Sequence, residues 1–309
     1  MDRLLNVFIT VVENENLTRA AEKLFITQSA VSQNIKILED KFNTQLLYRS
    51  NKSIKLTKSG EILYSHARQI LNQYGLAGRL INELHDGISG PLNIGSGFTF
   101  GEYLLPGIIS KFITNHPKIN PKITIKNSIR IANQVKHKDL DIGIIEREIK
   151  DDTLITVPFA EDDMVVVVPA DFPKDNGDEI RIDDLSDKTW IIRESGSGSR
   201  QATDNMYDIT KLNPKRILEF GSTHLIKETV KNGIGISFTS KISVKNELEE
   251  GSIKALTIQD YKDTRMFYYI TNKFNPSTKA LEIFINTLTN RPILLDGQPT
   301  LGHGEQTLS

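Results

Sequence analysis

The 309 residues of this chain, 38% of them hydrophobic, are enough for two or three domains, and a net charge of −1 gives no overall sign of a nucleic-acid or membrane partner. The chain has no cysteine, which excludes disulfides, thiol catalysis and cysteine-based zinc sites, and its six histidines lack the i, i+4 spacing of a helical metal site. It also lacks a signal-peptide pattern and a run of roughly 18 apolar residues, so we expect a cytoplasmic protein without metal or cofactor.

The N-terminal part of the chain has a helix-turn-helix pattern. Apolar residues at helical spacing predict a helix from about Arg3 to Asn14. Asn16 can cap a second helix, and Thr27 can cap a third from about Gln28 to Lys41. One face of the third helix is predicted to be core and carries Val31, Ile35, Leu38 and Phe42.

The opposite face of the third helix is polar and free of carboxylates. It carries Gln28, Ser29, Ser32, Gln33 and Lys36. Glutamine can form two hydrogen bonds with adenine, serine can form hydrogen bonds with base edges or phosphates, and lysine can contact phosphate. A short helix with a polar N-terminal end suits insertion in a DNA major groove, and Thr27 belongs to the predicted set. The alternative is an ordinary solvent-exposed face.

A basic hairpin is predicted next. Two short strand patterns flank Ser50-Asn51-Lys52, and the run Arg49, Lys52, Lys55 and Lys58 contains no acid. Residues 1–60 hold nine Lys/Arg against six Asp/Glu, a local net charge of +3. Arg49 is therefore predicted to contact a DNA phosphate, and Lys52 at the hairpin tip to lie along the phosphates or in the neighbouring minor groove.

These motifs resemble a known family. T-R-A-A-E-K-L (18–24), Q-S-A-V-S-Q-N-I-K-I-L-E (28–39), L-L-Y-R (46–49) and L-T-K-S-G (56–60) are similar to the winged helix-turn-helix of LysR-type transcriptional regulators. Ser29, Asn43 and Leu47 stand where the family often has Pro, Gly and Phe. The resemblance implies a DNA-binding domain over residues 1–57, a linker helix and a periplasmic-binding-protein-like effector domain. It also implies a homotetramer, and it leaves RNA polymerase open as a further partner.

A heptad seam predicts a long dimerising helix over residues 58–87. Apolar residues recur at steps of four and three at Leu63, Ala67, Ile70, Tyr74, Ala77, Ile81 and Leu84. A seam of this length needs a partner helix, and a homodimer is the better interpretation. The stretch Gly87-Ile88-Ser89-Gly90-Pro91 then ends the helix and marks a domain boundary.

An α/β effector domain is predicted over residues 88–295. A βαβαβ order follows Pro91 and predicts a parallel sheet, with strands near 92–95, 122–127 and 140–145 and helices near 99–115 and 128–138. A second series, with strands near 190–192, 216–220 and 234–238, predicts another lobe. Strands 164–169 and 266–271 are predicted to cross between the lobes, and a helix over 276–290 to return to the first. The lobes then cover about 91–162 with 267–291 and about 163–266, and the polar tail 296–309 is expected to be disordered.

Four predicted strand-to-helix turns are rich in hydroxyl groups and glycine. Small hydroxyls, backbone amides and a guanidinium can together cradle a small anion at the carboxyl ends of parallel strands. The alternative is that these are only tight turns, and Arg193 has a further alternative as a salt bridge between lobes or protomers. The predicted effector-binding residues are Ser96, Phe98, Thr99, Asn127, Ser128, Arg193, Ser195, Ser197, Ser199 and Thr223.

The run R-E-S-G-S-G-S-R (193–200) is similar to the R-E-x-G-S-G-T-R of a LysR-type branch that governs sulfur assimilation and carbon fixation, which suggests an anionic metabolite. No phosphate-binding loop, dinucleotide fingerprint or nucleophile elbow supports an enzyme. The predicted function is therefore a DNA-binding transcriptional regulator controlled by a small molecule. A metabolite-binding or enzymatic α/β protein, or a stand-alone solute-binding protein, is the alternative.

Overall fold

The computed structural model describes residues 1–49, 54–173 and 179–289. The predictions for Lys52 at the hairpin tip and for the tail from Asp296 lie outside the described residues. The chain divides into two compact units, one formed by Met1–Gly87 with His137–Asp139 and the other by Ile88–Lys136 with the chain from Leu140 onward.

The N-terminal unit is a winged helix-turn-helix with a long helix at its end. Its elements are α1 (Asp2–Asn14), α2 (Leu17–Leu24), α3 (Gln28–Phe42), β1 (Leu47–Arg49), β2 (Ile54–Leu56) and α4 (Lys58–Asp86). β1 and β2 pair antiparallel and form the wing. Both predicted caps are confirmed, because Asn16 Oδ1 accepts from the amide of Thr18 at 2.8 Å and Thr27 Oγ1 accepts from the amide of Ala30 at 3.2 Å.

The core of this unit lies between the first three helices. Val31, Ile35 and Leu38 of α3 are fully buried, as predicted, against apolar residues of α1 and α2. The prediction that Phe42 belongs to this core is wrong, since its side chain is 47% exposed. Phe42 is the last residue of α3, and the left-handed Asn43 (φ 47°) then turns the chain away.

The C-terminal unit alternates strands and helices. Its first part contains β3 (Gly90–Ser96), a π-helix (Phe100–Leu104), α5 (Leu105–Asn115), β4 (Ile119–Ile125), α6 (Ser128–Lys136), β5 (Ile142–Ile145) and β6 (Leu154–Pro169). Its second part contains β7 (Glu179–Ile180), β8 (Thr189–Arg193), α7 (Gly198–Thr210), β9 (Arg216–Phe220), α8 (Thr223–Lys231), β10 (Ser237–Ser240), α9 (Lys245–Glu249), β11 (Ile253–Ile258), β12 (Thr264–Asn272) and α10 (Lys279–Thr289). Short 3₁₀ turns cover Ile182–Leu185 and Ile242–Val244.

The strand order confirms an α/β fold with a mixed sheet. β3 pairs in parallel with β4 and β5, as the βαβαβ pattern predicts, and β8 pairs in parallel with β9. β12 is antiparallel to both β5 and β6, and β10 and β11 are antiparallel to β6. We call β3–β5 with α5, α6 and α10 lobe I, and β7–β11 with α7–α9 lobe II.

Two antiparallel strands join the lobes. β6 is 16 residues long, and the predicted strand 164–169 is only its second half, which pairs with β10 and β11 of lobe II. The first half of β6 pairs with β12, which in turn pairs with β5 of lobe I. Each lobe has its own buried cluster, built around Phe100 and Phe284 in lobe I and around Trp190 in lobe II. The residues of β6 and β12 near the change of partners therefore lie between the two cores.

Candidate functional site

The polar face of α3 is presented to solvent. Gln28, Ser29, Gln33 and Lys36 are exposed, and Ser32 is half-buried. The hydroxyl of Thr27 caps the helix and lies 2.9 Å from that of Ser29, so these two hydroxyls form a local pair at the helix start. Four of the five predicted polar residues of α3 are thus accessible to solvent and the fifth is half-buried, with Thr27 in a capping position.

A groove with a volume of about 680 Å³ lies between α3 and the wing. Ser32, Gln33 and Lys36 line it from the helix, and Gln45 and Tyr48 line it from the wing. Tyr48, opposite Lys55 in the hairpin register, is 62% exposed. The sequence analysis did not identify Gln45 or Tyr48, although Tyr48 lies between the apolar Leu47 and the predicted phosphate contact Arg49, where alternation would point it outward.

The wing is fixed to both flanking helices by hydrogen bonds. Glu39 Oε1 on α3 accepts from the amides of Leu46 and Leu47 at 2.9 and 3.4 Å. Thr57 Oγ1 donates to the Gln45 carbonyl at 2.7 Å and accepts from the amide of Gly60 in α4 at 3.0 Å. A Cβ on Gly60 would lie 2.0 Å from the Leu46 carbonyl oxygen, so glycine permits this close approach. These hydrogen bonds therefore hold α3, the wing and α4 in one arrangement.

The predicted seam of α4 divides into two parts. Leu63 and Ala67 pack in the core of the N-terminal unit. Farther along the helix the seam is exposed, with Tyr74 at 72% and Leu84 at 81%, and Ile70, Ala77 and Ile81 are exposed as well. The exposed part forms an apolar stripe of the kind that a second copy of the helix covers.

A buried ion pair lies where the crossing strands join the lobes. Arg265 on β12 donates through Nε and Nη2 to one carboxylate oxygen of Asp162 on β6, both at 2.7 Å. The other oxygen of Asp162 accepts from Ser240 Oγ at 2.6 Å. Burial raises the pKa of Asp162, and the adjacent guanidinium opposes that shift.

The same guanidinium contacts both lobes. Arg265 Nη2 donates to Thr99 Oγ1 of lobe I at 2.9 Å, and Nη1 donates to Ser199 Oγ of lobe II at 3.1 Å. Two predicted effector-binding residues therefore meet at one cation that the sequence analysis missed. Arg265 follows polar residues at a strand start, a position that is usually exposed, and no local pattern signals its burial.

A second arginine also bridges the lobes. Arg193 pairs with its neighbour Glu194 at 2.8 Å and donates through Nη1 to Thr223 Oγ1 at 2.8 Å. Its guanidinium carbon lies 4.6 Å from the centroid of the Phe98 ring in lobe I. The predicted residues Phe98, Arg193 and Thr223 therefore lie together. The contact of Arg193 with lobe I is a cation–π contact with the Phe98 ring.

Several of the predicted hydroxyl and amide groups stabilise helix starts and turns. Ser197 Oγ caps α7 by accepting from the Arg200 amide at 3.1 Å, and Ser128 Oγ accepts from the Glu146 amide at 3.3 Å. Asn127 Oδ1 accepts from the Arg130 amide at 3.1 Å, and its Nδ2 lies 3.5 Å from Glu194. Ser195 is exposed. The Ser197 hydroxyl caps a helix, which agrees with the alternative that these residues only form tight turns.

Ser96 and Glu146 are two buried polar residues of lobe I. Ser96 Oγ is buried and has no hydrogen-bond partner among the residues that the structure describes. The buried carboxylate of Glu146 accepts from the Phe100 amide at 3.2 Å. A Cβ on Gly198 of lobe II would lie 2.5 Å from the Glu146 Cβ, so the lobes are in contact here. The sequence analysis did not identify Glu146 as a cleft residue.

Two features are absent from residues 1–49, 54–173 and 179–289. No helix in these ranges combines the length and the apolar character of a membrane span. No cluster of three or more His, Cys, Asp or Glu side chains in these ranges could hold a metal ion.

Comparison with protein families assigns both units. The model described as "LysR substrate binding domain" matches residues 85–292, and that described as "Bacterial regulatory helix-turn-helix protein, lysR family" matches residues 3–61. The chain belongs to the LysR family. It is a DNA-binding transcriptional regulator with an effector-binding domain, and not an enzyme.

Three similar proteins illustrate this LysR-family membership. The HTH-type transcriptional regulator CysL of Bacillus subtilis (strain 168) is 37% identical over 285 residues, which cover 92% of this chain and 95% of the relative. Full-length CbnR in complex with its target DNA is 19% identical with a TM-score of 0.71, covers 94% of this chain and 99% of its own, and so shows the shared fold. The regulatory domain of Synechocystis PCC6803 CcmR in complex with 2-PG is 26% identical with a TM-score of 0.61, and covers 65% of this chain and 97% of its own.

Proposed function

We propose that this LysR-family regulator binds DNA as a homodimer or higher homo-oligomer, and that a small anion bound between lobes I and II changes that binding. On the DNA side, the exposed polar face of α3 supports base contacts by Gln28, Ser29, Ser32 and Gln33. Lys36, with Arg49 and Lys52 from the wing, supplies phosphate contacts in this proposal. Contact with RNA polymerase stays a prediction, as does a cytoplasmic location.

The observation that carries the effector site is the shared guanidinium of Arg265. Its Nη groups donate to the hydroxyls of Thr99 and Ser199, which are neutral acceptors. An oxyanion is a stronger acceptor for a guanidinium than a hydroxyl, and both hydroxyls can then donate to the oxyanion. In this proposal Arg265 keeps its hydrogen bonds to Asp162, and the anion replaces the hydroxyl oxygens of Thr99 and Ser199 as acceptors.

A ligand held in this way would favour one arrangement of the lobes. Thr99 belongs to lobe I and Ser199 to lobe II, so an anion bridging them binds more tightly when the lobes are close. Unequal affinity for two arrangements is the thermodynamic requirement for an effector. The proposal therefore calls for a small, negatively charged ligand, and one similar protein, the CcmR regulatory domain, is in complex with 2-PG.

The test is a titration of the full chain with sulfate and with inorganic phosphate as probe anions. A ligand that binds the folded state raises the melting temperature in a saturable way. Thr99→Ala removes one charge-assisted hydrogen bond, worth about 1.5 kcal/mol, and should weaken binding about tenfold. Ser110→Ala removes an exposed hydroxyl of α5, outside the cleft, and should bind like the parent.

Two results would contradict the proposed effector site. One is a melting temperature that neither anion changes. The other is an equal affinity of the Thr99→Ala, Ser110→Ala and parent proteins for the anion that does bind.

A further inference from the structure

A cavity of about 270 Å³ lies on lobe I between α6 and the loop that follows β5. Its volume corresponds to about nine water molecules in the liquid, enough for a small organic molecule. Ile129, Ala132, Ile149 and Leu154 form apolar walls, and Arg147 and Lys136 bring charge. Apart from Ile129, these side chains are distinct from those that line the interlobe cleft.

The charges around this cavity leave one cation in excess. Lys136, Arg147 and Lys150 face the carboxylates of Glu148 and Asp151, so three positive charges meet two negative charges. Lys136 and Asp151 form an ion pair at 2.7 Å, and the hydrogen bond from Lys136, with those from Thr153, holds the pKa of Asp151 down to about 2. The remaining cations therefore outnumber the remaining carboxylate at neutral pH.

Arg147 contributes an unsatisfied donor. Its Nε is buried and has no hydrogen-bond partner among the described residues. A buried donor without an acceptor destabilises the fold, so an acceptor that reaches it stabilises the protein. A carboxylate matches the fork of a guanidinium, and the excess positive charge favours an anion over a cation.

We propose that this cavity is a second small-molecule site, for a short amphipathic carboxylate whose anionic end binds Arg147 and whose hydrocarbon end packs on Ile129, Ala132, Ile149 and Leu154. The site is separate from the interlobe anion site and does not depend on it.

The position of Ile129 couples this site to the interlobe contact. Ile129 lines the cavity, and its Cδ1 lies 3.2 Å from the position that a Cβ on Gly196 of lobe II would take. The Ile129 amide also donates to the Gly196 carbonyl at 3.4 Å. A carboxylate that fixes the start of α6 therefore acts on the surface where the lobes meet.

The experiment compares butyrate with butylammonium, which has the same hydrocarbon length and the opposite charge. Butyrate should raise the melting temperature of the full chain in a saturable way, whereas butylammonium should not. Arg147→Met should weaken butyrate binding at least tenfold, and Arg147→Lys, which keeps the charge and loses the fork, should weaken it by a smaller factor. Lys111→Met removes an exposed cation of α5 in lobe I, outside this cavity, and should change the affinity less than threefold.

The Thr99→Ala variant distinguishes butyrate binding in this cavity from butyrate binding in the interlobe cleft. It should leave the butyrate response unchanged, whereas loss of that response in Thr99→Ala would place butyrate in the cleft and overturn the proposal. A parent-like response of Arg147→Met, or an equal response to butylammonium, would overturn it as well. Without ligand, Arg147→Met should melt no lower than the parent, because it removes the unpartnered donor.

Discussion

Glu39 shows how one side chain connects the two parts of the DNA-reading surface. It belongs to α3, yet its carboxylate accepts two amide hydrogens at the start of the wing. These amides precede and begin the short strand β1, and among the described residues three residue pairs join the two strands of the wing. The orientation of the wing relative to α3 therefore depends on Glu39.

The first prediction concerns this contact. Glu39→Ala leaves the amides of Leu46 and Leu47 without their carboxylate acceptor and should lower the free energy of unfolding by about 1.5–3 kcal/mol. Glu39→Gln keeps an acceptor oxygen and should lose less than half as much. Urea denaturation of both variants measures the difference, and identical losses would show that the acceptor does not hold the wing.

For single residues, the sequence predicted contacts between near neighbours in the chain but not contacts between residues far apart in the chain. The caps at Asn16 and Thr27 were predictable because a helix start is recognised within four residues. Arg265 bonds to residues 103 and 166 positions away, and no pattern in its neighbourhood indicates that such partners exist. Glu146 was missed for the same reason, since its acceptor role depends on the Phe100 amide.

Among the secondary-structure elements, α4 has the clearest unmet packing requirement. Its 29 residues carry a heptad seam, of which only the first two members pack inside the N-terminal unit. The remaining members are exposed, and burial of apolar side chains is the main favourable term when two helices associate. The sequence predicted the seam, and the structure shows which part of it is left for a partner.

The second prediction is that this stripe forms a homodimer. Leu84→Asp exchanges an apolar side chain for a charge in each of two protomers, and burial of each leucine contributes about 1.5–3 kcal/mol. The dimer dissociation constant should therefore rise at least about 100-fold, as measured by analytical ultracentrifugation. Gly75→Ala is the matched control, because it lies off the seam with no atom within 4 Å of the added Cβ and should leave the dimer intact. Unchanged association of Leu84→Asp would exclude the stripe as the interface.

The strand β6 shows what limits prediction at this scale. Its second half reads as a buried strand because Val165–Val168 are consecutive β-branched residues. Its first half contains Pro158 and acidic residues, which argue against a strand in sequence. In the structure the pairing with β12 shifts register between Phe267 and Tyr268, beside Pro158, so that an irregularity accommodates the proline.

For the whole molecule, the sequence predicted two α/β lobes and a winged helix-turn-helix because both have strong periodic patterns. It did not predict which charges meet between the lobes, since those positions depend on how β6 and β12 bring remote segments together. The ion pair of Arg265 with Asp162 lies at that junction and contacts both lobes. Effector binding at this junction is therefore expected to alter the angle between the lobes.

The recognition surface is tested most directly by DNA binding of three proteins. DNA fragments selected from a random pool by the full chain would be titrated with the parent, Gln28→Ala and Arg49→Ala at several salt concentrations. Gln28→Ala should lose about 1–3 kcal/mol on the selected sequence and little on unrelated DNA, because it removes a base contact. Arg49→Ala should weaken binding to all sequences and reduce the salt slope by about 1, because it removes a phosphate contact. Equal losses on selected and unrelated DNA, with the same salt slope for both variants, would contradict the assignment of α3 to the bases and of the wing to the backbone.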